Sequence, residues 1–551
     1  MRSTMNDGPL SLARLLRYAT TAHSAAAVST WTGDGCRRRT YGEMAPRMAQ
    51  LANALHSLGI GRSDRVATFM WNNSEHLEVY AAVPAMGAVV HPLNIRLSPS
   101  QVGYVANHAE DQVVIVDGSL VSAFEQALTI MTTVRHVVVV GAPAGRFQAP
   151  GHVTVHDYEE LLAGRSETYC WPDIDERSAA AMCYTSGTTG DPKGVVYSHR
   201  SLYLHALHVT TSMGMALSTP DTCLVIVPMF HVNAWSLPYA SMMSGASLLM
   251  PDRFLQPEPL LAMLAAERPT VAAAVPTIYT GILQTLARTP QDLTHLQRVF
   301  VGGSAAPLSL LQAYEDELGI TMTQGWGMTE TSAVSATAAL PAGHSGDDPW
   351  AYRATQGQFA PLVDYRLKND AGEVVANDGV SLGELQVRGP WVTAAYYARD
   401  DAERDRYAGS FDGDWLRTGD VGRVSPDGYL TLVDRTKDVI KSGGEWISSV
   451  DLENDLMAHP DVAEAAVFGI PDQKWDERPC AVVVLKKGVE RDPKVLRDHL
   501  RGNLPKWQLP DSWVYIEEVP KTSVGKFDKK LLRQQYADGH LEVLSSEYSS
   551  G

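Results

Sequence analysis

The sequence predicts an α/β fold: a large N-terminal domain of βαβ-rich subdomains with a small β subdomain, then a small α+β C-terminal domain. Three successive patterns along the 551 residues carry this reading. From Tyr41 to about Gly327, short apolar runs alternate with longer segments of helical period, as repeated βαβ units require. The runs include Arg65–Met70, Val113–Asp117, Val137–Gly141, Leu224–Pro228, Val271–Val275 and Val299–Gly302. Unbroken stretches such as Val137-Val138-Val139-Val140 suit strands covered by helices on both faces. From about Val363 to Val433, short strands punctuated by Gly and Asp, such as Gly383-Glu384-Leu385-Gln386-Val387, indicate the β subdomain. After Asp434 the pattern restarts with a helix near Ser449–His459, strands near Val462–Phe468 and Cys480–Leu485, a helix near Pro493–Leu500 and a strand at Trp513–Glu517. The domains are therefore expected at 1–434 and 435–551, and the final residues, ending Ser549-Ser550-Gly551, read as a frayed tail.

A chain of this length exceeds one hydrophobic core at about 100–200 residues per domain. Apolar residues make up 45% and charged residues 20%, a globular composition that excludes disordered and collagen-like classes. Lys plus Arg number 46 against 63 for Asp plus Glu, a net charge of −17. That surplus repels phosphate backbones, so nucleic acid is not an expected partner. The 5 cysteines (Cys36, Cys170, Cys183, Cys223 and Cys480) form no C-x-x-C pair; neither a disulfide framework nor a zinc site is supported, and a reducing cytoplasm fits. No apolar stretch approaches the roughly 18–20 residues needed to cross a bilayer. The opening Met1-Arg2-Ser3-Thr4-Met5-Asn6-Asp7 does not read as a secretory leader. The expectation is a cytoplasmic protein without stable membrane insertion.

The most informative stretch is Tyr184-Thr185-Ser186-Gly187-Thr188-Thr189-Gly190-Asp191-Pro192-Lys193-Gly194. Its glycines allow close backbone approach, its hydroxyls add donors and Lys193 adds positive charge, which together suit a polyphosphate. It is not a Walker A loop: the pattern from Gly187 needs glycine where Pro192 stands, and Ser or Thr where Gly194 stands. The string resembles the signature loop of the adenylate-forming superfamily, which contains acyl-CoA synthetases, peptide-synthetase adenylation domains and firefly luciferases.

Further segments match that superfamily's motifs in order, and the likeness runs from about residue 40 to 530. It implies that Thr185, Ser186, Gly187, Thr188, Thr189 and Lys193 contact ATP, with Thr185 and Lys193 also serving catalysis. Gly302-Gly303-Ser304-Ala305 resembles the turn that lines adenine and the acyl carboxylate. Gln324-Gly325-Trp326-Gly327-Met328-Thr329-Glu330-Thr331 resembles the segment in which an aromatic packs on adenine, a threonine meets the α-phosphate and a glutamate binds Mg²⁺. Trp326 stands where tyrosine is more usual, so stacking is kept while a tyrosine hydroxyl's hydrogen bond is lost. Trp415-Leu416-Arg417-Thr418-Gly419-Asp420 matches the segment whose aspartate grips the ribose hydroxyls, a task suited to a carboxylate. Asp434-Arg435-Thr436-Lys437-Asp438 matches the hinge, with Arg435 on the ribose and Lys437 at the pivot of a mobile C-terminal domain. Lys441-Ser442-Gly443-Gly444-Glu445 matches the loop past which the pantetheine of CoA runs. Pro520-Lys521-Thr522-Ser523-Val524-Gly525-Lys526 carries the adenylating lysine, Lys526.

The chemistry so implied is attack of a carboxylate on the α-phosphorus of ATP, with Mg²⁺ at Glu330, Lys193 and Lys526 offsetting the charge. A thiol then displaces AMP, and no protein nucleophile is needed, because the mixed anhydride is itself reactive toward a thiol. Pro228-Met229-Phe230-His231-Val232-Asn233-Ala234-Trp235 resembles medium- and long-chain fatty acyl-CoA synthetases. This implies an acyl pocket at His231, Trp235, Gly302 and Gly327, although Asn233 also reads as the cap of a helix start. Peptide-synthetase adenylation domains place an aspartate near that point, so an α-amino acid is disfavoured. Alternatives are an aromatic acid, transfer to a carrier protein, a non-thiol acceptor chemistry such as N–N bond formation, and a non-catalytic nucleotide-binding regulator. The resemblance also implies a homodimer.

Overall fold

The apolar runs of the sequence assemble into three sheets. The computed structural model describes residues 1, 3–185, 191–341, 343–344, 348–442, 445–502, 504–521 and 527–545. The first sheet has 7 strands in the order Thr154–Asp157, His136–Val140, Val113–Asp117, Arg65–Phe69, Val89–Pro92, Ala179–Tyr184 and Gly194–Ser198. All neighbours are parallel except the last pair, which is antiparallel. Its central strands are covered on both faces. Val113 and Ile115 join one apolar core while Val114 and Val116 of the same strand join another, as a period of two dictates. Each such valine, fully buried, stabilises the fold by roughly 1.5–3 kcal/mol.

The second sheet has 14 strands. Its parallel half runs Thr321–Met328, Arg298–Val301, Val271–Ala274, Thr222–Val225, Ser247–Met250 and Ala27–Trp31, closed by antiparallel Cys36–Thr40. The expected β subdomain is not a separate sheet. Strand Thr321–Met328 pairs parallel with Arg298–Val301 through Gln324, then antiparallel with Ala333–Thr337 from Gly325 onward. One continuous ladder therefore joins the two halves. It continues through Gly357–Phe359, Tyr429–Arg435, Trp415–Val424, Gly383–Arg388 and Asp364–Lys368.

This antiparallel half is strongly curled. Three strands separate Thr321–Met328 from Trp415–Val424, which in a flat sheet at roughly 4.8 Å per strand sets them about 19 Å apart. Yet Trp326 Nε1 donates to Asp420 Oδ2 at 2.8 Å. Only a sheet rolled toward closure brings such strands together.

The chain leaves this ladder at Arg435 and enters the third sheet at Ile440. Val462–Asp472 and Asp476–Leu485 form its long hairpin, and Ser512–Tyr515 pairs parallel with the latter. Helices Ser449–Met457 and Pro493–Arg501 fall where the sequence placed them. The tail is corrected in part: Val543–Ser545 pairs antiparallel with Ser512–Val514, burying part of Leu544 against the small core, and residues 546–551 lie outside the described residues. The polar helix Lys529–Ala537 precedes it. Among the described residues, no helix is long and apolar enough to cross a membrane.

Candidate active site

A cavity of about 1030 Å³ opens between the curled sheet and the C-terminal elements. One wall is the turn after strand Arg298–Val301. Gly303 there has φ +85°, in the left-handed region that glycine tolerates, and a Cβ would also stand 3.2 Å from Val275 Cγ1. Ser304 and Ala305 face the opening. Gln324 braces this wall from behind. Its Oε1 accepts from the Ala306 N–H (2.5 Å) while Nε2 donates to the carbonyls of Ala354 (3.2 Å) and Thr355 (2.8 Å). The carbonyls only accept and the amide N–H only donates, so the side chain's orientation is determined.

Gly325, Trp326 and Gly327 form the floor. Gly327 has no room for a side chain, since a Cβ would fall 1.8 Å from the Ala333 carbonyl oxygen. Trp326 is 5% exposed and packs edge-on against Phe359. The hydrogen bond anticipated as lost is replaced: the indole N–H holds Asp420 Oδ2, while Arg435 Nε sits 2.7 Å from Oδ1. Asp420 and Arg435 face each other in register across their strands. A carboxylate offers about four acceptor positions, so with two filled, two remain for a diol.

Glu330, Lys193, Thr185 and Thr329 lie beside this cavity rather than lining it. Thr185 and Lys193 bond to each other: Thr185 N donates to Lys193 O (2.9 Å), and Lys193 N to Thr185 Oγ1 (3.3 Å). Ser186, Gly187, Thr188 and Thr189 lie outside the described residues. Thr329 is anchored through its carbonyl, which accepts from the Tyr197 hydroxyl at 2.7 Å. Glu330 is buried, and burial pushes its carboxyl up, opposed by the Tyr396 hydroxyl 2.6 Å from Oε1 and by the charges of Arg435 and Lys193. Lys193 Nζ lies 4.6 Å from the centroid of the Tyr396 ring and bonds Ser410 Oγ at 3.1 Å.

Two groups here escaped the sequence reading. Tyr396 touches both Glu330 and Lys193, and Tyr397 N donates to Gly194 O, stitching a distant loop onto the strand after the phosphate loop. Behind the loop, Tyr184 OH lies 2.6 Å from His108 Nδ1, and His108 Nε2 lies 2.8 Å from Glu403. The Tyr396-Tyr397 pair alone hints at a site, and no motif spacing marks it.

On the far side, Lys437, Lys521, Phe527, Asp528, Lys529 and Lys530 line the cavity. Lys526, between them in sequence, lies outside the described residues, as do Gly443 and Gly444. Among the hydrogen bonds that tie the chain after Asp434 back to the curled sheet, Ser448 Oγ donates to Val433 O (2.7 Å), Ser449 N to Asp434 Oδ2 (2.8 Å) and Thr436 N to Gly419 O (2.8 Å). Lys529 pairs with Glu453 (2.6 Å) and Arg533 with Asp438 (2.7 Å). Lys441 is elsewhere, its ammonium 3.9 Å from Asp370, while the backbone of Glu445 pairs with Ser442.

Neither His231 nor Trp235 lines the cavity. Trp235 is 6% exposed in the main apolar core, with its Cη2 3.3 Å from where a Cβ on Gly302 would be, one residue from cavity-lining Gly303. The helix start expected at Asn233 is displaced: Val232 to Ser236 all have positive φ, and the helix begins at Leu237.

A curled sheet presenting an aromatic floor and a carboxylate–arginine pair, faced by a lysine-bearing C-terminal unit, offers a flat apolar surface, acceptors for a diol and cations for an anion, as an enzyme of nucleotides needs. The chain belongs to the AMP-binding enzyme family: the family model matches residues 16–397, and the model of the AMP-binding enzyme C-terminal domain matches 451–526. It is 44% identical over 539 residues to a long-chain-fatty-acid–CoA ligase of Thermus thermophilus, covering 97% of each chain. It is 39% identical over 542 residues to a 3-methylmercaptopropionyl-CoA ligase of Ruegeria pomeroyi, covering 98% of this chain and 99% of that one. In three dimensions it shares the fold of the anthranilate CoA ligase AuaEII in complex with anthranoyl-AMP, with a TM-score of 0.85 at 24% identity over 97% of this chain and 100% of that one.

The indole bond supplies a test. Trp326→Phe keeps a flat aromatic but removes the donor on Asp420, a bond to a charged group whose loss costs about 1.5–3 kcal/mol. AMP affinity measured by calorimetry should fall roughly tenfold or more. Unchanged affinity would mean that the indole N–H does not position the carboxylate.

Proposed function

We propose that this protein is an AMP-forming acyl-CoA ligase acting on a fatty acid or similar apolar acid, with ATP and CoA as its other substrates. The acid's carboxylate oxygen bonds to the α-phosphorus of ATP as the bond to pyrophosphate breaks. The thiol of CoA then bonds to the acyl carbon, and the carbon–oxygen bond to AMP breaks. The observation that carries this reading is the convergence on one cavity of the Gly303 turn, the Trp326 floor, the Asp420–Arg435 pair and the chain on either side of Lys526. Asp420 and Arg435 hold the ribose, Trp326 packs on adenine, and Lys193 with Lys526 offsets phosphate charge. The fatty acid assignment is supported by the name of the Thermus thermophilus relative, a long-chain-fatty-acid–CoA ligase, and by the Trp235 segment.

Magnesium belongs to this reading. Among the described residues no cluster of three or more His, Cys, Asp or Glu side chains stands ready for a metal. Mg²⁺, however, keeps several waters and takes one or two carboxylates alongside substrate phosphates. The buried carboxylate of Glu330 fits that demand, and the ion it holds would neutralise charge on the phosphates. The domains divide at 434/435 with Lys437 as pivot, Lys526 serving adenylation and Lys441 with the Gly443-Gly444-Glu445 loop serving thioester formation. A cytoplasmic homodimer completes the proposal.

The test is pyrophosphate release with ATP, Mg²⁺ and a panel of fatty, thioether and aromatic acids, with and without CoA. Acid-dependent release with AMP as co-product is expected; ADP as the main nucleotide product, or no acid dependence, overturns the proposal. Trp235→Ala should shift preference toward longer or bulkier acids, each extra methylene contributing at most about 0.8 kcal/mol. An unchanged acid profile in a folded variant would make Trp235 a core residue only.

A further inference from the structure

The segment leading into helix Leu237–Ser244 has an unusual backbone. Val232, Asn233, Ala234, Trp235 and Ser236 have φ of 43°, 55°, 49°, 55° and 59°, a left-handed turn without a glycine. L residues visit this region singly, because Cβ crowds the following carbonyl. A run of such residues persists only where its surroundings over-determine it. A second departure lies just after Glu330 and Thr331, where Ser332 and Ala333 have φ of 57° and 106°.

One side chain joins the two segments. His205, on helix His199–Thr210, lies with Nδ1 2.8 Å from Ser236 Oγ, at the end of the turn, and Nε2 3.0 Å from the carbonyl of Val334, directly after the second departure. His205 and Ser236 are wholly buried. A carbonyl can only accept, so Nε2 carries the proton and donates to Val334, leaving Nδ1 to accept from the Ser236 hydroxyl. Burial, and His208 beside it, push the His205 pKa down to about 3, so the ring stays neutral and the tautomer is constant near neutrality. Trp391 meets the ring edge-on at 5.7 Å, blocking its rotation. At the middle of the turn, Asn233 Oδ1 accepts from Cys183 Sγ at 3.7 Å, a weaker hold.

We infer that His205 is a positioning residue for acid selection: it clamps the turn bearing Trp235 to the strand that follows Glu330, so that the wall of the acid pocket keeps a set place relative to the nucleotide site. The inference rests on the reading of Trp235 as part of that wall. His205 does not line the cavity, and the clamp acts through the Ser236 hydroxyl and the Val334 carbonyl.

The test measures acid-dependent pyrophosphate release over saturated aliphatic acids of increasing length, recording KM for acid, KM for ATP and kcat. His205→Phe keeps a buried ring and loses both bonds; Ser236→Ala loses one; His205→Gln can donate to Val334 and accept from Ser236. We expect His205→Phe to raise KM for the preferred acid about tenfold and flatten the chain-length profile, with KM for ATP within about twofold. Ser236→Ala should move the profile the same way by a smaller factor, and His205→Gln should lie within about threefold of the parent. A folded His205→Phe with an unchanged profile overturns the clamp, as does equal loss of all three parameters in both the Phe and Gln variants. If His205→Phe fails to fold, an unchanged profile in Ser236→Ala overturns it. A profile changed by Trp235→Ala but by neither clamp variant removes the clamp alone, whereas one unchanged by Trp235→Ala removes the pocket reading and the clamp with it.

Discussion

Lys526→Ala should slow acyl-adenylate formation by about two to three orders of magnitude, the scale for removing one preorganised charge from a phosphoryl-transfer site. The same variant should still convert a supplied acyl adenylate and CoA to thioester. Lys521 and Phe527, on either side of it in sequence, line the cavity that holds Trp326 and Asp420, whereas the Lys441 ammonium stands by Asp370. Lys441→Ala should therefore show the reverse: near-normal pyrophosphate release in a single turnover and slow thioester formation. Lys437→Pro, which fixes φ at the pivot, should resemble Lys441→Ala if the adenylating arrangement is trapped. Single-turnover assays of each half-reaction decide this. Equal loss of both halves in all three folded variants would dissolve the division of labour.

Glu330→Gln should lower turnover by roughly 10²–10³-fold and raise the Mg²⁺ concentration needed for half-maximal rate. The substitution isolates charge, because an amide oxygen can still accept from the Tyr396 hydroxyl, which lies 2.6 Å from the native carboxylate. It also removes the carboxylate whose charged form Arg435 and Lys193 favour. A change smaller than about threefold in an Mg²⁺ titration would show that the metal is held elsewhere.

The strands were legible because their chemistry is local. Val113 to Val116 feed apolar cores on both faces, and such a run has no other comfortable place. The order of Trp326, Asp420 and Arg435 was legible as motif. What joins them was not: the ladder from Thr321–Met328 to Trp415–Val424 passes through strands whose pairing depends on distant partners. His108 and Glu403 are 295 positions apart, and nothing at either position announces the other. The left-handed turn was hidden for a different reason. Of its members only Asn233 has any intrinsic taste for that conformation, so Val232, Ala234 and Trp235 adopt it against local preference under tertiary constraint.

The curl of the antiparallel half also decides which wall of the cavity resists parting. A sheet rolled until strands separated by three others meet at Trp326 and Asp420 has no edge there to peel back. Parting that side would tear ladder hydrogen bonds on several strands at once. The opposite side is held across the junction by the bonds of Ser448 to Val433 and of Ser449 to Asp434. Parting the cavity walls on the C-terminal side instead breaks a few separate bonds and no long ladder.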